Sequence, residues 1–228
     1  MPEPAGPPGR PGRRGHGAPG ARMNAVRTVC LVVLADLLLI LSGPLLPVIM
    51  PLHAAVLGVL LIRLCSEVAQ ALRDPVTGIS VRRVAERHLD RARGEVTVAL
   101  IDGDDLHGVN RRFGHAGGDA LLAALAVRLQ QAAERGDVVA RLGGDEFVLI
   151  SRRPVDTVRR QLTAVLATPV VLSGHPVPVR FSAGICRVPG GDHRRALTHA
   201  DRLMYAAKHQ GGGIVTDRCP DNTDHHQY

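Results

Sequence analysis

Aromatic residues are nearly absent: they make up 2% of the 228 residues, and the sequence has no tryptophan. A folded core must therefore consist of aliphatic side chains, which the 45% of apolar residues can supply. The few rings give no sign of a surface where basic residues alternate with stacking aromatics, so nucleic acid is not an expected partner. The net charge of +7 is weak evidence to the contrary, because much of the excess lies in the first 27 residues.

Cysteine is also scarce. The four cysteines show neither the spacing of metal ligands nor that of a disulfide framework. They are Cys30, Cys65, Cys186 and Cys219. The simplest interpretation is a reducing compartment.

The N-terminal part of the chain divides into a polar segment and an apolar one. Residues 1–24 are rich in proline, glycine and arginine and are predicted to be a disordered basic tail. Residues 25–64 contain two long apolar runs, 26–41 and 45–64, which are separated by Ser42–Pro44. Because a membrane-spanning helix needs about 20 apolar residues, the two runs together predict a two-helix hairpin in the lipid bilayer.

Arginines flank this hairpin on both sides, so the positive-inside rule places both ends, and the domain that follows, in the cytoplasm. The expected location is therefore the inner (cytoplasmic) membrane. Asp36 interrupts the first run and is expected to pair or to face the other helix, because a lone carboxylate is costly in lipid. Pro47 and Pro51 are expected to shorten or kink the second helix. A cleaved signal peptide and a buried core helix are the alternatives.

The remaining sequence alternates between helix and strand patterns. Residues 65–73 are predicted to form a connecting helix, and residues 74–216 a folded domain with a strand at Glu95–Ile101 and a hairpin at Val138–Ile150. This alternation predicts an α+β fold in which an antiparallel-containing sheet is backed by helices on one face. Residues 217–228 are polar and are predicted to be a loose tail.

Acidic residues stand where two of these strands end. Asp102 follows the first strand, with Asp104 and Asp105 close behind, and Asp145 and Glu146 form the tip of the hairpin. Since Asp also makes turns and caps helices, the first group has a simple structural explanation. If the two strands are neighbours, however, Asp102 and Asp145 converge, and converging carboxylates repel unless a cation lies between them. Such ligands suit Mg²⁺ held together with substrate phosphates, which indicates a nucleoside triphosphate as substrate.

Five blocks of this sequence resemble one family, in its order and spacing. RLGGDEFVLI, at Arg141–Ile150, contains the GGDEF signature of diguanylate cyclases. The other blocks are DPVTGISVRR, VALIDGDDLHGVNRRFGHAGGDALL, RFSAGIC and ADRLMYAAKHQGG, and together the five cover residues 74–215. The resemblance implies a nucleotide-cyclase-like (ferredoxin-like) sheet with surrounding helices. It also implies condensation of two GTP molecules into cyclic di-GMP plus pyrophosphate, in a homodimer that forms through the catalytic domain.

The resemblance assigns roles to individual residues. It implies that Mg²⁺ or Mn²⁺ is held by Asp102, the carbonyl of Gly103, Asp145 and Glu146, and that Asp145 and Glu146 are catalytic. It implies that GTP is bound by Asn110 and Asp119 at the guanine, by Leu106, His107 and Lys208 at the phosphates, and near Gly143 and Gly144. A carboxylate and an amide together match the hydrogen-bonding edge of guanine, and the two glycines let the backbone approach a ligand closely.

Three positions depart from the family pattern. His107 stands where the family usually has lysine, Gly212 where it has arginine, and Leu106 where it has phenylalanine. Histidine is mostly uncharged at neutral pH, and each lost contact to a charged phosphate is worth roughly 1.5–3 kcal/mol. Phosphate binding is therefore expected to be weakened, unless Arg111 or Arg112 compensates.

The family's product-inhibition motif, R-x-x-D, reads ERGD at Glu134–Asp137. A carboxylate at the arginine position would repel the phosphates of cyclic di-GMP, so no feedback through this motif is expected. Two hypotheses follow from the sequence. The first is a membrane-anchored, Mg²⁺-dependent cyclase; the second is a catalytically weak or inactive domain that acts as a GTP-binding or signalling module.

Overall fold

The computed structural model describes residues 19–40 and 46–217. By its contacts the chain divides into two compact units, residues 1–64 and 65–228. Two helices occupy the N-terminal part: α1, Pro19–Ile40, and α2, Leu46–Ala71. The predicted break at Ser42–Pro44 and most of the predicted basic tail lie outside the described residues.

The helices begin and continue where the sequence pattern suggested otherwise. Helix α1 begins at Pro19, inside the segment predicted to be a disordered tail, because proline is well suited to the first turn of a helix. Pro51 lies inside α2 without ending it. Asp36 of α1 was expected to pair, and its Oδ1 lies 3.2 Å from Nε2 of His53 in α2.

One helix in the described part of the chain is long and apolar enough to cross a membrane. It is the 22-residue stretch Met50–Ala71, whose mean hydropathy is 1.8 and whose side chains lie on the surface. Only the length and the composition of this helix support a membrane crossing. The two-helix membrane hairpin is therefore not confirmed.

The C-terminal unit contains a six-stranded mixed sheet. The elements of this unit are β1 (Ser80–Val81), α3 (Arg82–Arg91), β2 (Glu95–Gly103), α4 (Leu106–Ala132), β3 (Val138–Gly143), β4 (Glu146–Ser151), α5 (Val155–Leu166), β5 (Val170–Leu172), β6 (His175–Val177), β7 (Phe181–Pro189), α6 (His193–His209) and β8 (Gly213–Thr216). The strands of the sheet lie in the order β1-β3-β4-β2-β7-β8, and β2 is antiparallel to both β4 and β7. This confirms the predicted α+β fold with an antiparallel-containing sheet.

Helices cover both faces of this sheet, so the expectation of helices on one face is wrong. The reason is visible in β2, which is buried along its whole length after Glu95 and so needs cover on each side. Helices α4 and α5 cover one face and α3 and α6 the other. The first core includes Ala99, Ile101, Leu125, Phe147 and Leu162, and the second includes Leu89, Val98, Leu100, Val148 and Met204. Both cores are dominated by aliphatic side chains, as the composition required.

Helix α6 lies unusually close to β7 at Gly184. A Cβ added to this glycine would lie 2.1 Å from the carbonyl oxygen of Ala200 and 2.3 Å from the amide nitrogen of Met204. Only glycine permits that approach, because both neighbouring atoms belong to the helix backbone. The contact fixes the position of α6, which carries Lys208 one turn after Met204.

Helix α4 contains a break at Gly114, whose backbone has a φ of 71° and a ψ of 175°. Glycine tolerates this positive φ. Helical structure resumes directly after the break, at His115–Asp119.

Candidate functional site

The acids that were expected to converge lie at one edge of the sheet. Asp102 is opposite Glu146 in the β2–β4 pairing, and the amide of Gly103 donates a 3.0 Å hydrogen bond to the carbonyl of Asp145. Burial raises the pKa of Asp145 above its usual range, and the nearby negative charges of Asp102 and Asp104 raise it further. The two strands thus bring Asp102 and Asp145 within electrostatic range, as the sequence predicted.

Lys208, the only lysine in the sequence, projects from α6 into this acidic group. Its Nζ lies 3.0 Å from Oδ2 of Asp102, which is 7% exposed. Desolvation would lower the pKa of Lys208, but the hydrogen bond to Asp102 and the charges of Asp102, Asp104 and Asp145 outweigh it and raise the pKa. The lysine predicted to bind phosphate is therefore at the site, where it is paired with an acid.

The donor set suits a hard divalent cation. Asp102, Asp104 and Asp145 all act on one ammonium group, so this region already stabilises positive charge. Among the described residues no three His, Cys, Asp or Glu side chains are close enough together to hold a metal ion by themselves. A divalent ion here would take further ligands from backbone, water and substrate phosphate, which is the usual way that Mg²⁺ is held.

Asp104 and Asp105 shape the loop between β2 and α4. Asp104 accepts a 2.9 Å hydrogen bond from the hydroxyl of Ser182, and its amide donates to the carbonyl of Arg180 at 3.0 Å. Asp105 is left-handed, with φ 67°, and its side chain accepts from the amide of Gly108 at 3.2 Å. Asp105 therefore caps helix α4, which is one of the structural roles that the sequence allowed for this group of acids. Sequence reasoning missed the roles of Asp104 and Ser182, although the D-x-D spacing was a usable signal.

The start of α4 presents free backbone amides. Those of Leu106 and His107 belong to the first turn, where a helix offers no internal acceptors. Together with the helix dipole, such amides favour anions, so the geometry suits the predicted phosphate contacts. The His107 side chain is exposed and Leu106 is half-buried against the core.

The two predicted guanine-binding residues stand on either side of the break in α4. The side chain of Asn110 lies against Gly118: a Cβ added there would be 2.0 Å from the Asn110 Oδ1. Asp119 is the next residue and is exposed. The fold therefore brings Asn110 beside the backbone that carries Asp119, and it does so only because position 118 has no side chain.

Arg141 holds the hairpin tip in shape. Its Nε and Nη2 donate to the carbonyl of Gly144 at 2.9 and 2.6 Å, and its Nη1 lies 2.9 Å from Oδ1 of Asp74. Burial would raise the pKa of Asp74, but hydrogen bonds from Thr77 and Arg141 outweigh it and lower the pKa. This clamp was not predicted, since no local pattern links Asp74 to the tip. A Cβ added to Gly143 or Gly144 would have no atom within 4 Å, so space beside the hairpin tip is open.

Glu146 forms an ion pair of its own. Its Oε2 is 3.6 Å from Nη2 of Arg82 on α3, and the side chain is 38% exposed. The prediction that Glu146 shares a metal with Asp102 and Asp145 therefore remains a prediction.

Two pockets meet at this edge. The larger, of about 550 Å³, is lined by Asp104, Arg180, Ser182, Lys208 and Gly212, among others. The smaller, of about 220 Å³, is lined in part by Val109, Phe113, Leu121 and Leu125 of α4 and shares Asp104, Asp105, Val179 and Arg180 with the first. Asp104, Asp105 and Lys208 thus line a space that can admit a small polar molecule.

The segment at the expected product-inhibition motif is occupied by an internal ion-pair network. Nη1 of Arg153 lies 3.1 Å from Oε1 of Glu134, and the same guanidinium pairs with Asp137. The amide of Glu134 donates to the Asp137 carboxylate at 3.0 Å. Both acids of ERGD are therefore committed to contacts within the domain.

Comparison with known proteins gives consistent matches. Residues 71–213 match the family model "Diguanylate cyclase, GGDEF domain". Diguanylate cyclase DgcP of Pseudomonas aeruginosa is 34% identical over 157 residues, which are 62% of this chain and 23% of that protein. An uncharacterised 19.3 kDa protein of Streptomyces ambofaciens is 39% identical over 152 residues, or 64% of this chain and 82% of that protein.

A solved structure shows the same fold. The GGDEF domain of PA1120 (TpbB or YfiN) from Pseudomonas aeruginosa is 32% identical and superposes with a TM-score of 0.59, covering 63% of this chain and 93% of that chain. The matched part of this chain corresponds to less than a quarter of the length of DgcP, so the likeness concerns one domain of that protein.

Proposed function

Since the chain belongs to the diguanylate cyclase GGDEF-domain family, we propose that it condenses two GTP molecules into cyclic di-GMP and releases two pyrophosphates. The observation that carries the proposal is the group formed by Asp102, Asp104, Asp145 and Lys208, which lies beside a polar pocket at one sheet edge. Acids and a cation arranged in this way suit a metal-bound triphosphate better than any neutral substrate.

The residues divide the work as follows in this proposal. Asp102, Asp145 and the carbonyl of Gly103 hold Mg²⁺ or Mn²⁺, which when bound neutralises phosphate charge in the transition state. Lys208, which pairs with Asp102 in the structure, would bind a phosphate oxygen of GTP. Glu146 accepts the proton of the attacking 3′-hydroxyl, so that an O3′–Pα bond forms while the bond from Pα to the pyrophosphate oxygen breaks.

Guanine is proposed to bind at the break in α4. Asp119 accepts from the N1–H and the amino group of guanine, and Asn110 serves the remaining edge. Adenine presents the opposite donor and acceptor pattern and would leave Asp119 and Asn110 without these hydrogen bonds, so GTP is selected over ATP.

Two domains are needed for one product, because each domain binds one GTP and the two must face each other. We therefore propose a homodimer through the catalytic domain. Feedback by cyclic di-GMP through the R-x-x-D motif is not expected, since Glu134 is acidic and already pairs with Arg153.

We also propose that residues 25–64 anchor the protein in the cytoplasmic membrane, with the catalytic domain in the cytoplasm. The apolar helix Met50–Ala71 and the flanking arginines support this. The full chain is expected to sediment with membranes in high salt. A reporter enzyme that works only in the cytoplasm, fused after Tyr228, is expected to be active. Release by salt would contradict the anchor.

The second candidate is a non-catalytic GTP-binding module. Two observations favour it: His107 is exposed, and Gly212 has no side chain, so both positions provide fewer contacts to phosphate than the family pattern does. It predicts nucleotide binding without turnover.

The experiment that separates the two is incubation of the purified full chain with GTP and Mg²⁺, with products identified by mass. Cyclic di-GMP formation that requires GTP and metal supports the cyclase. Saturable GTP binding without cyclic dinucleotide, in a protein shown to be dimeric, would establish the second candidate instead.

A further inference from the structure

The larger pocket has a glycine, Gly212, where the family pattern has an arginine, so it lacks a positive charge at this position. The backbone there has a φ of 104°, and an added Cβ would lie 3.2 Å from the carbonyl of Phe181 and 3.5 Å from Oδ2 of Asp104. A larger side chain would be strained at this position, because L-residues rarely adopt such a φ. The chain therefore cannot readily recover an arginine at position 212, and any replacement must come from another element.

Arg180 lines the same pocket as Gly212. Its carbonyl accepts the amide of Asp104 at 3.0 Å, which holds its backbone against the loop that starts α4. It lines both pockets, whereas Arg112 lines only the smaller one and Arg111 lines neither. Arg112 is also packed over the ring of Phe113, at 4.9 Å from its centroid.

The guanidinium of Arg180 is available for a ligand. The side chain is exposed, and within the described part of the chain it forms no ion pair with a carboxylate. Three other arginines of the domain behave differently: Arg141, Arg153 and Arg187 are each committed to an acid of the fold. An unpaired arginine on the wall of a pocket is suited to a phosphate, which its planar fork can bind through two hydrogen bonds.

We propose that Arg180 is a phosphate-binding residue of the nucleotide site and replaces the positive charge that His107 and Gly212 no longer supply. The inference rests on the proposed function and adds one residue to it. Lys208 and Arg180 line the larger pocket and would both contact the triphosphate there.

Nucleotide binding to the full chain tests this role. The probe is a GTP analogue with a methylene group between the α and β phosphates, which cannot release pyrophosphate, measured by calorimetry with Mg²⁺. Arg180→Ala is expected to weaken its binding about 10- to 100-fold, the range for one charge-assisted contact. Guanosine, which has no phosphate, is expected to bind the variant within about twofold of the unaltered protein.

Two further variants make the result specific. Arg180→Lys keeps the charge but not the planar fork and is expected to recover part of the affinity. Arg160→Ala removes the same charge from the exposed face of α5 and is expected to change nothing. Melting temperatures of all variants within about 2 °C of the unaltered protein would show that the fold is intact.

The outcomes separate this inference from the proposed function. If the unaltered protein binds the analogue and Arg180→Ala binds it equally well, Arg180 has no such role while the cyclase proposal stands. Equal weakening of guanosine and the analogue would also overturn the role, because the loss would then not concern phosphate. If the unaltered protein binds no guanine nucleotide, both proposals fail.

Discussion

Replacing Asp145 with asparagine is expected to lower the rate of cyclic di-GMP formation at least about a thousandfold, or roughly 4 kcal/mol of transition-state stabilisation. The amide keeps the size of the side chain but removes a negative oxygen ligand at the point where Asp102 and Asp145 come together. The measurement is initial velocity with GTP and saturating Mg²⁺. A second readout, Mn²⁺ binding in the presence of the methylene analogue, should weaken in parallel.

The same substitution is expected to stabilise the metal-free fold slightly. Burial and the charges of Asp102 and Asp104 raise the pKa of Asp145, so the charged carboxylate disfavours the folded state at neutral pH. This penalty is present above the folded-state pKa and disappears once the pH falls below the unfolded-state value of about 3.8, where Asp145 is protonated in both states. At pH 7 and in the presence of a chelator, the Tm of the variant should therefore be about 1 °C higher than that of the unaltered protein, which is the scale of an exposed charge interaction.

Asp156→Asn is the matched control, since it removes an exposed acid of α5 that contacts only Arg159. It should leave the rate unchanged. A variant at Asp145 that retains more than a tenth of the activity would show that this carboxylate does not hold the metal.

The part of this site that the sequence predicted is the part encoded in local patterns. Asp102 follows an apolar, β-branched strand and Asp145 lies at a Gly-Gly hairpin tip, so both positions could be deduced from neighbouring residues. Their convergence followed from the pairing of the two strands, which the structure shows directly.

The contacts that the sequence did not predict join residues far apart in the chain. Arg141 and Asp74 are separated by 67 residues, and Ser182 and Asp104 by 78. Such contacts depend on the order of strands in the sheet, which no periodicity encodes. The three-residue strands of the β5–β6 hairpin were missed because so short a run gives no reliable alternation.

Burial explains the error about the helices. The run VTVALI was correctly predicted as a strand, but a continuous apolar run is buried on both faces and requires helices on both. The open question in the sequence, which arginine compensates for His107 and Gly212, could be addressed only once the pocket placed Arg180 beside Asp104.

Gly184→Ala is expected to have the largest effect on stability, about 3 kcal/mol, or roughly 6–12 °C in Tm. The new methyl group would meet two backbone atoms of α6, and a helix backbone cannot move aside as the end of a side chain can. Because α6 must shift as a unit, Lys208 would leave Asp102, and GTP binding should fall together with stability. Thermal unfolding and binding of the methylene analogue measure the two effects.

Gly118→Ala provides the comparison within the same domain. Its methyl group would meet Oδ1 of Asn110 at 2.0 Å and Cδ1 of Leu106 at 3.3 Å, and both atoms belong to side chains that can rotate away. Alanine in a helix also stabilises by about 0.5–1 kcal/mol relative to glycine. Its Tm should therefore stay unchanged or rise, while affinity for the GTP analogue falls because Asn110 is displaced from guanine. If both substitutions lowered Tm equally, the close approach of α6 to β7 would not be what fixes Lys208 at the site, and the distinction drawn between the two glycines would be wrong.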